Sequence, residues 1–263
     1  MKKPGFTAGI QYSLKGFKLI RTPGIRRYAV IPLLINTILF VGALMLGISY
    51  IDNLIENMQP EVTADSAFYI RWLGSIMAWA SWLLIPAFVL VFMALTFYSF
   101  TLVANLIGAP FNSLLAEKIE DHLGGVSTAS SGNIVSMVKD IGASFASEFR
   151  KLLYFALRAL PLVILFFIPG VNLIAGFIWF LFSAWMLAIE YSDYPMGNHA
   201  MRFPDQRSTL KGNRMFALGY GTGITVASMI PIVNFFVMPA AVAGATAMWA
   251  DYWKNNIARI QVE

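Results

Sequence analysis

The residues with the most chemical content form one short run, Thr22-Pro23-Gly24-Ile25-Arg26-Arg27, directly ahead of a long apolar stretch. Proline and glycine break a preceding helix, so the next helix starts here with amide N–H groups that lack intrahelical acceptors. Arg26 and Arg27 stand beside those donors. Unbonded amides, the positive end of a helix dipole and forked guanidiniums together suit a tetrahedral oxyanion such as sulfate or phosphate. The same two arginines also suit a plainer role, anchoring the following span at the cytoplasmic surface. Both readings stand on spacing alone.

Other polar candidates are few. Asn36, Asn105 and Asn112 interrupt apolar runs, Glu117 and Lys118 follow one, and Arg158 precedes another. Such groups either line a permeation path or tie neighbouring helices together. Asn112 and Glu117 are the weaker path candidates, and Arg158, able to snorkel to the surface, is a second anion contact. The chain has no cysteine and only two histidines, His122 and His199, so no metal or other cofactor is expected. It contains no Walker-type phosphate loop, no H-E-x-x-H and no G-x-S-x-G, so no enzyme is expected either.

Of the 263 residues, 58% are hydrophobic and 13% charged. A soluble domain carries about 25% charged residues, so this chain could not cover a globular surface and must reside in lipid. The net charge of +5 is modest and suggests no nucleic-acid partner. No signal peptide is expected, because Pro4 and the basic residues from Lys15 to Arg27 interrupt any early apolar region.

Four stretches lack Asp, Glu, Lys and Arg entirely: Tyr28 to Ile51, Trp72 to Ala116, Ala159 to Ile189 and Met215 to Ala250. The first two read as long spans. The other two are each interrupted by Ile-Pro-x-Val-Asn, at Ile168 and at Ile230, and each runs into an acidic, aromatic cluster. A duplicated helical hairpin is the simplest reading, with Asn172 and Asn234 in the same turn at its two tips. Arms of about 10 to 17 residues would extend roughly 15 to 25 Å, short for a full crossing. Basic residues from Lys2 to Arg27, from Lys118 to Arg158 and from Arg202 to Arg214 suit one cytoplasmic face, whereas Asp52 to Arg71 is acidic. Each interrupted segment should therefore enter from the cytoplasm and return to it, as a re-entrant hairpin or as a pair of full spans. Because short arms favour re-entrance, the expected fold is an all-α integral membrane protein: two long transmembrane helices, two re-entrant, half-inserted hairpins, and amphipathic interfacial helices. The N- and C-termini are placed in the cytoplasm. The expected segments are an interfacial helix and anion-site loop (1–27), a first span (28–51), a periplasmic loop (52–71) and a second span (72–110). Amphipathic helices (111–158), hairpin one (159–189), a cytoplasmic loop (190–214), hairpin two (215–250) and a tail (251–263) follow. Gly219 with Gly223, and Ala240 with Gly244, read as close-packing pairs.

With the Gly24-Ile25-Arg26-Arg27 loop, the run Ile107 to Glu117, the paired Ile-Pro-x-Val-Asn breaks, Phe182 to Ile189, Met238 to Ala240 and Gly244 to Trp249, the chain resembles the CysZ-type bacterial sulfate permeases. The resemblance covers nearly its whole length. It implies a homo-oligomer in the bacterial inner membrane that takes up sulfate for cysteine biosynthesis. It also implies that Gly24, Ile25, Arg26 and Arg27 match the family's Gly-Leu-Arg type sulfate-binding loop. Where the family tends to read Asp-Asn-His, this chain has Gly197-Asn198-His199.

Two full spans cannot enclose a polar path alone, so an oligomer is also the physical expectation. A dianion entering against roughly 100 mV climbs about 4.6 kcal/mol, which leaves channel and proton-coupled symporter both open. The alternative is a non-transporting scaffold whose helix from Ile134 to Leu152 docks a soluble partner.

Overall fold

The computed structural model describes residues 4–58, 87, 90–94, 108, 110–124 and 134–254. All regular elements among them are helical. They are α1 (Phe6–Leu19), α2 (Arg26–Met58), α3 (110–122), α4 (Ile134–Phe166), α5 (Asn172–Asn198), α6 (Phe203–Gly212), α7 (Arg214–Ser228) and α8 (Pro231–Met248). A π-helical turn, Trp249–Trp253, extends α8. Most of the expected second span, Asn105 and most of the acidic loop lie outside the described residues. The described side chains exclude Asn36 and those of 134–148, and with them most of the face predicted to dock a partner.

The chain divides into two compact units, one of Met1–Val30 with Pro110–Glu263, the other Ile31–Ala109. In the second unit α2 presents Leu34, Ile38 and Leu46 to its surroundings, a surface suited to hydrocarbon. Arg26–Gly47, Asn172–Asn198 and Pro231–Trp253 are long and apolar enough to cross a membrane, judged by length and composition.

Within the first unit, both proline breaks reverse the chain. Tyr154 accepts a hydrogen bond from Trp185 Nε1 at 2.9 Å, and Phe155 stacks on Phe182, so α4 and α5 run antiparallel. Tyr220 donates to the Ala241 carbonyl, which pairs α7 with α8 in the same sense. The two turns differ, although the sequence repeat predicts one turn used twice. In the first, Gly170 takes a φ of +83°, a left-handed conformation that glycine adopts without strain. Ile232 occupies the matching position in the second repeat, where a β-branched residue disfavours that conformation. There the helix begins at once with Pro231, and Asn234 donates its amide to the Ile230 carbonyl at 2.8 Å inside the first turn.

Helix lengths also differ from the charge-free stretches. Residues 134–166 form one unbroken helix, so the predicted amphipathic segment and first hairpin arm are continuous. α5 runs 27 residues, through Glu190 and Asp193, because those acids fold back on Lys151 and need not end the helix. α2 likewise continues through Asp52 and Glu56 to Met58.

α1 packs lengthwise on the second hairpin. A Cβ at Gly219 would collide with the Phe6 carbonyl, one at Gly9 with backbone of Phe216 and Tyr220, and one at Gly16 with backbone of Ala240 and Gly244. Side-chain-free positions thus let three backbones touch. The register runs Phe6 to Gly219 and Ser13 to Gly223, so α1 is parallel to α7 and antiparallel to α8. At the hairpin base, Tyr12 and Lys15 both donate to Asp251 Oδ2, at 2.9 and 2.7 Å. The outer stripe of α1, Thr7, Gln11, Leu14 and Lys18, is exposed and mostly polar.

Replacing Gly219 by valine forces the Phe6 backbone away, and overpacking of this kind costs about 1–3 kcal/mol or more. The Gly219→Val protein is expected to melt several degrees lower in detergent. An unchanged midpoint would contradict the backbone contact.

Candidate functional site

The α1–α2 loop is delivered to the tip end of the second hairpin, because α1 ends there. Its fixed point is Ile25, 4% exposed in a core with Leu19, Ile20, Ala29, Leu115, Ile119 and Val242. Burying such a side chain stabilises the loop by about 2 kcal/mol. Ile25 therefore positions the site through its side chain. Gly24 bends beside it at a φ of +89°, with open space where a Cβ would be. The strain of a substitution there would come from the dihedral, not from crowding.

The loop amides are only partly free. The Ile25 and Arg26 N–H groups both donate to the Thr22 carbonyl at 3.1 Å, whereas those of Gly24 and Arg27 meet no acceptor among the described residues. Two donors are thus available where the sequence suggested an open helix end.

The two arginines diverge. Arg27 leans on Tyr28, with its guanidinium 5.0 Å from the ring centroid and 3.2 Å from the phenol oxygen. Arg26 instead lines a cavity of about 350 Å³ together with Arg21, Phe17, Ile20, Ala29, Val30, Ile232, Val233 and Phe236. Neither Arg21 nor Arg26 forms an ion pair or hydrogen bond with a described side chain. In the sequence Arg21 reads only as one of the cytoplasmic charges. Its five-residue distance from Arg26 across a Pro-Gly bend was the available signal for a shared site.

The remaining candidates occupy other places. Asn112 is buried, with its amide 3.4 Å from the Tyr194 hydroxyl, and so ties α3 to α5. Glu117 is partly exposed, 3.8 Å from Lys118. The Arg158 guanidinium lies 3.7 Å from the Tyr154 ring centroid, and Arg207 lies over the same ring at 4.5 Å. No contact among the described residues joins Arg26, Asn112, Glu117 and Arg158.

A buried ionic cluster also emerges. Glu120 on α3, 1% exposed, receives His199 Nε2 at 2.9 Å and the Lys254 ammonium at 2.5 Å. Burial alone would raise its carboxyl, but the hydrogen bonds and charges of His199 and Lys254 outweigh it and hold the group below the ordinary range. Glu120, His199 and Lys254 are too distant in sequence for spacing to connect them. No group of His, Asp and Glu suited to a metal occurs among the described residues.

The fold is that of a helical membrane protein, with unpaired guanidiniums beside a bent loop. Residues 12–239 match the family described as Sulfate transporter CysZ/Etoposide-induced protein 2.4. The chain is 44% identical over 250 residues to the sulfate transporter CysZ of Vibrio cholerae serotype O1, covering 95% of each chain. It is 40% identical over 248 residues to the sulfate transporter CysZ of Salmonella typhimurium, covering 94% of this chain and 93% of that one. The chain belongs to the CysZ family.

Removing one partner of a buried ionic group costs about 3–5 kcal/mol. Glu120→Gln is therefore expected to lower the melting point by roughly 6–20 °C at pH 7. Because the Glu120 carboxyl is held low, its stabilisation is complete above the ordinary carboxylate range and lost as pH falls through the lowered value. The wild-type advantage should accordingly begin to shrink as pH falls below the ordinary glutamate value of 4.5, and disappear only once the pH lies below the lowered value. Equal melting of both proteins at pH 7 would contradict the cluster.

Proposed function

We propose that this protein carries sulfate across the bacterial inner membrane as a homo-oligomer, supplying cysteine biosynthesis and catalysing no reaction on the ion. The single observation that carries this reading is a trio of loop-borne guanidiniums, Arg21, Arg26 and Arg27, without a described carboxylate partner, in a chain whose relatives are named sulfate transporters. A dianion at the loop receives charge-assisted hydrogen bonds from Arg26 and from Arg27 once it swings off Tyr28. The Gly24 and Arg27 amides supply two further donors, and Gly24 allows the backbone to approach the ion. The partly solvated setting suits capture followed by release, since a fully buried dianion would be held too tightly to pass on.

α1 and α7 run parallel, so the loop and Arg214 lie at opposite ends of a 15-residue helix, about 22 Å apart along its axis. Both basic clusters face the cytoplasm if the α1–α7–α8 sheaf lies along the membrane boundary, with the polar stripe of α1 toward water. In that arrangement the termini are cytoplasmic, and each hairpin enters from the cytoplasmic side and returns to it. Asn112, Glu117 and Arg158 are separated within one chain, so copies must combine to complete a path. Arg158 and Glu117 are then secondary contacts along it.

Radiolabelled sulfate uptake by liposomes containing only this protein tests the reading. Loss of two charge-assisted contacts, each worth about 1.5–3 kcal/mol, is expected to cut initial uptake at least about tenfold in an Arg26→Ala, Arg27→Ala double variant. Unchanged uptake would remove the loop from the transport path.

A further inference from the structure

The cavity beside Arg26 is chemically unlike a site for a small dianion. Its walls are Phe17, Ile20, Ala29, Val30, Ile232, Val233 and Phe236, and its polar lining comes only from Arg21 and Arg26. Apolar walls do nothing to stabilise a doubly charged ion and deprive it of water. They match instead a ligand with an anionic head and a hydrocarbon tail. The surroundings point to the source of such a ligand. Met229, Ile232 and Phe235 at the hairpin tip are 65%, 78% and 67% exposed. An apolar tip of this kind is stable where it meets lipid, so a tail can enter sideways from the bilayer.

We infer that this cavity holds an anionic phospholipid, its phosphate on Arg21 and Arg26 and an acyl chain along Phe17, Ile232, Val233 and Phe236. Charge complementarity selects the anionic class. Two guanidiniums without described acidic partners attract a phosphate diester with a neutral head and repel the ammonium of a choline head. A phosphate diester offers two free oxygens on a tetrahedral centre, enough to engage a guanidinium fork as sulfate would, so lipid in the cavity occupies Arg26 and lowers the affinity of the loop for sulfate. This regulatory consequence rests on the sulfate reading above, whereas lipid occupancy does not.

The test uses the full chain in nanodiscs of phosphatidylcholine, alone or mixed with phosphatidylglycerol. Native mass spectrometry reads the retained lipid, and calorimetry reads sulfate binding. Wild-type protein is expected to retain phosphatidylglycerol over phosphatidylcholine by at least about tenfold relative to the bulk mixture. Val233→Phe fills the cavity while leaving both arginines in place, and is expected to abolish that preference. Val30→Phe fills it from α2 and serves if the first variant does not fold. The sulfate Kd of the wild type should rise at least about threefold on adding phosphatidylglycerol, and that of the filled variant should rise less. Undiminished retention by a folded, filled variant would overturn the inference, as would an absence of retained lipid, which would leave the cavity to a second copy of the chain. Thermal protection by inorganic phosphate equal to that from short-chain phosphatidylglycerol would reassign the site to a free ion and also overturn it. Failure of sulfate to bind in any nanodisc, with lipid retention intact, would sink the sulfate reading alone.

Discussion

Backbone contact between α1 and the α7–α8 hairpin is the constraint on which the rest of this arrangement depends. Gly9, Gly16, Gly219 and Gly244 remove the side chains that would otherwise hold three helices apart. In lipid, where apolar surface alone gives helices no reason to associate, such close approach supplies the dispersion contacts that hold a bundle together. Because α1 then ends at the hairpin tip, the loop after it has one place to go. Ile25 enters the core formed with α3 and α8, and Arg21 and Arg26 are left at the rim of an apolar cavity.

Charge is distributed in two distinct ways. Where the chain needs rigidity, cations are paired: Lys15 with Asp251, Lys151 with Asp193 and Glu190, and Lys254 with Glu120, which His199 also contacts at 2.9 Å. At the loop, Arg21 and Arg26 have no described acidic partner. An unpaired guanidinium close to a membrane boundary is electrostatically costly unless water, a lipid phosphate or a transported anion completes it. Paired cations hold the scaffold, whereas Arg21 and Arg26 stand open to the ligands proposed for them.

Much of the architecture is legible in the sequence because lipid imposes coarse rules. Low charge density, long uncharged runs and two proline breaks point to helices and reversals, and the spacing of Gly219 with Gly223 marks a packing face. Gly9 and Gly16 carry the same message, but they sit in a stretch whose lysines draw attention to an amphipathic pattern. Turn geometry is less legible: one residue, glycine at 170 against isoleucine at 232, changes how an otherwise repeated motif bends. Long-range pairing is hidden altogether, since nothing local connects Glu120 to Lys254. Within the site, Arg26 and Arg27 stand out in sequence, yet the divergence of their side chains and the arrival of Arg21 follow from the path of α1.

Sulfate recognition by the α1–α2 loop is most directly tested by locating the ion. Selenate has the shape and charge of sulfate, and its selenium scatters anomalously. Crystals of the protein grown with selenate in phosphatidylcholine, without anionic lipid, should show an anomalous peak within hydrogen-bonding distance of the Arg26 and Arg27 guanidiniums. A peak confined to Arg158 and Arg207, or none in the first unit, would contradict it.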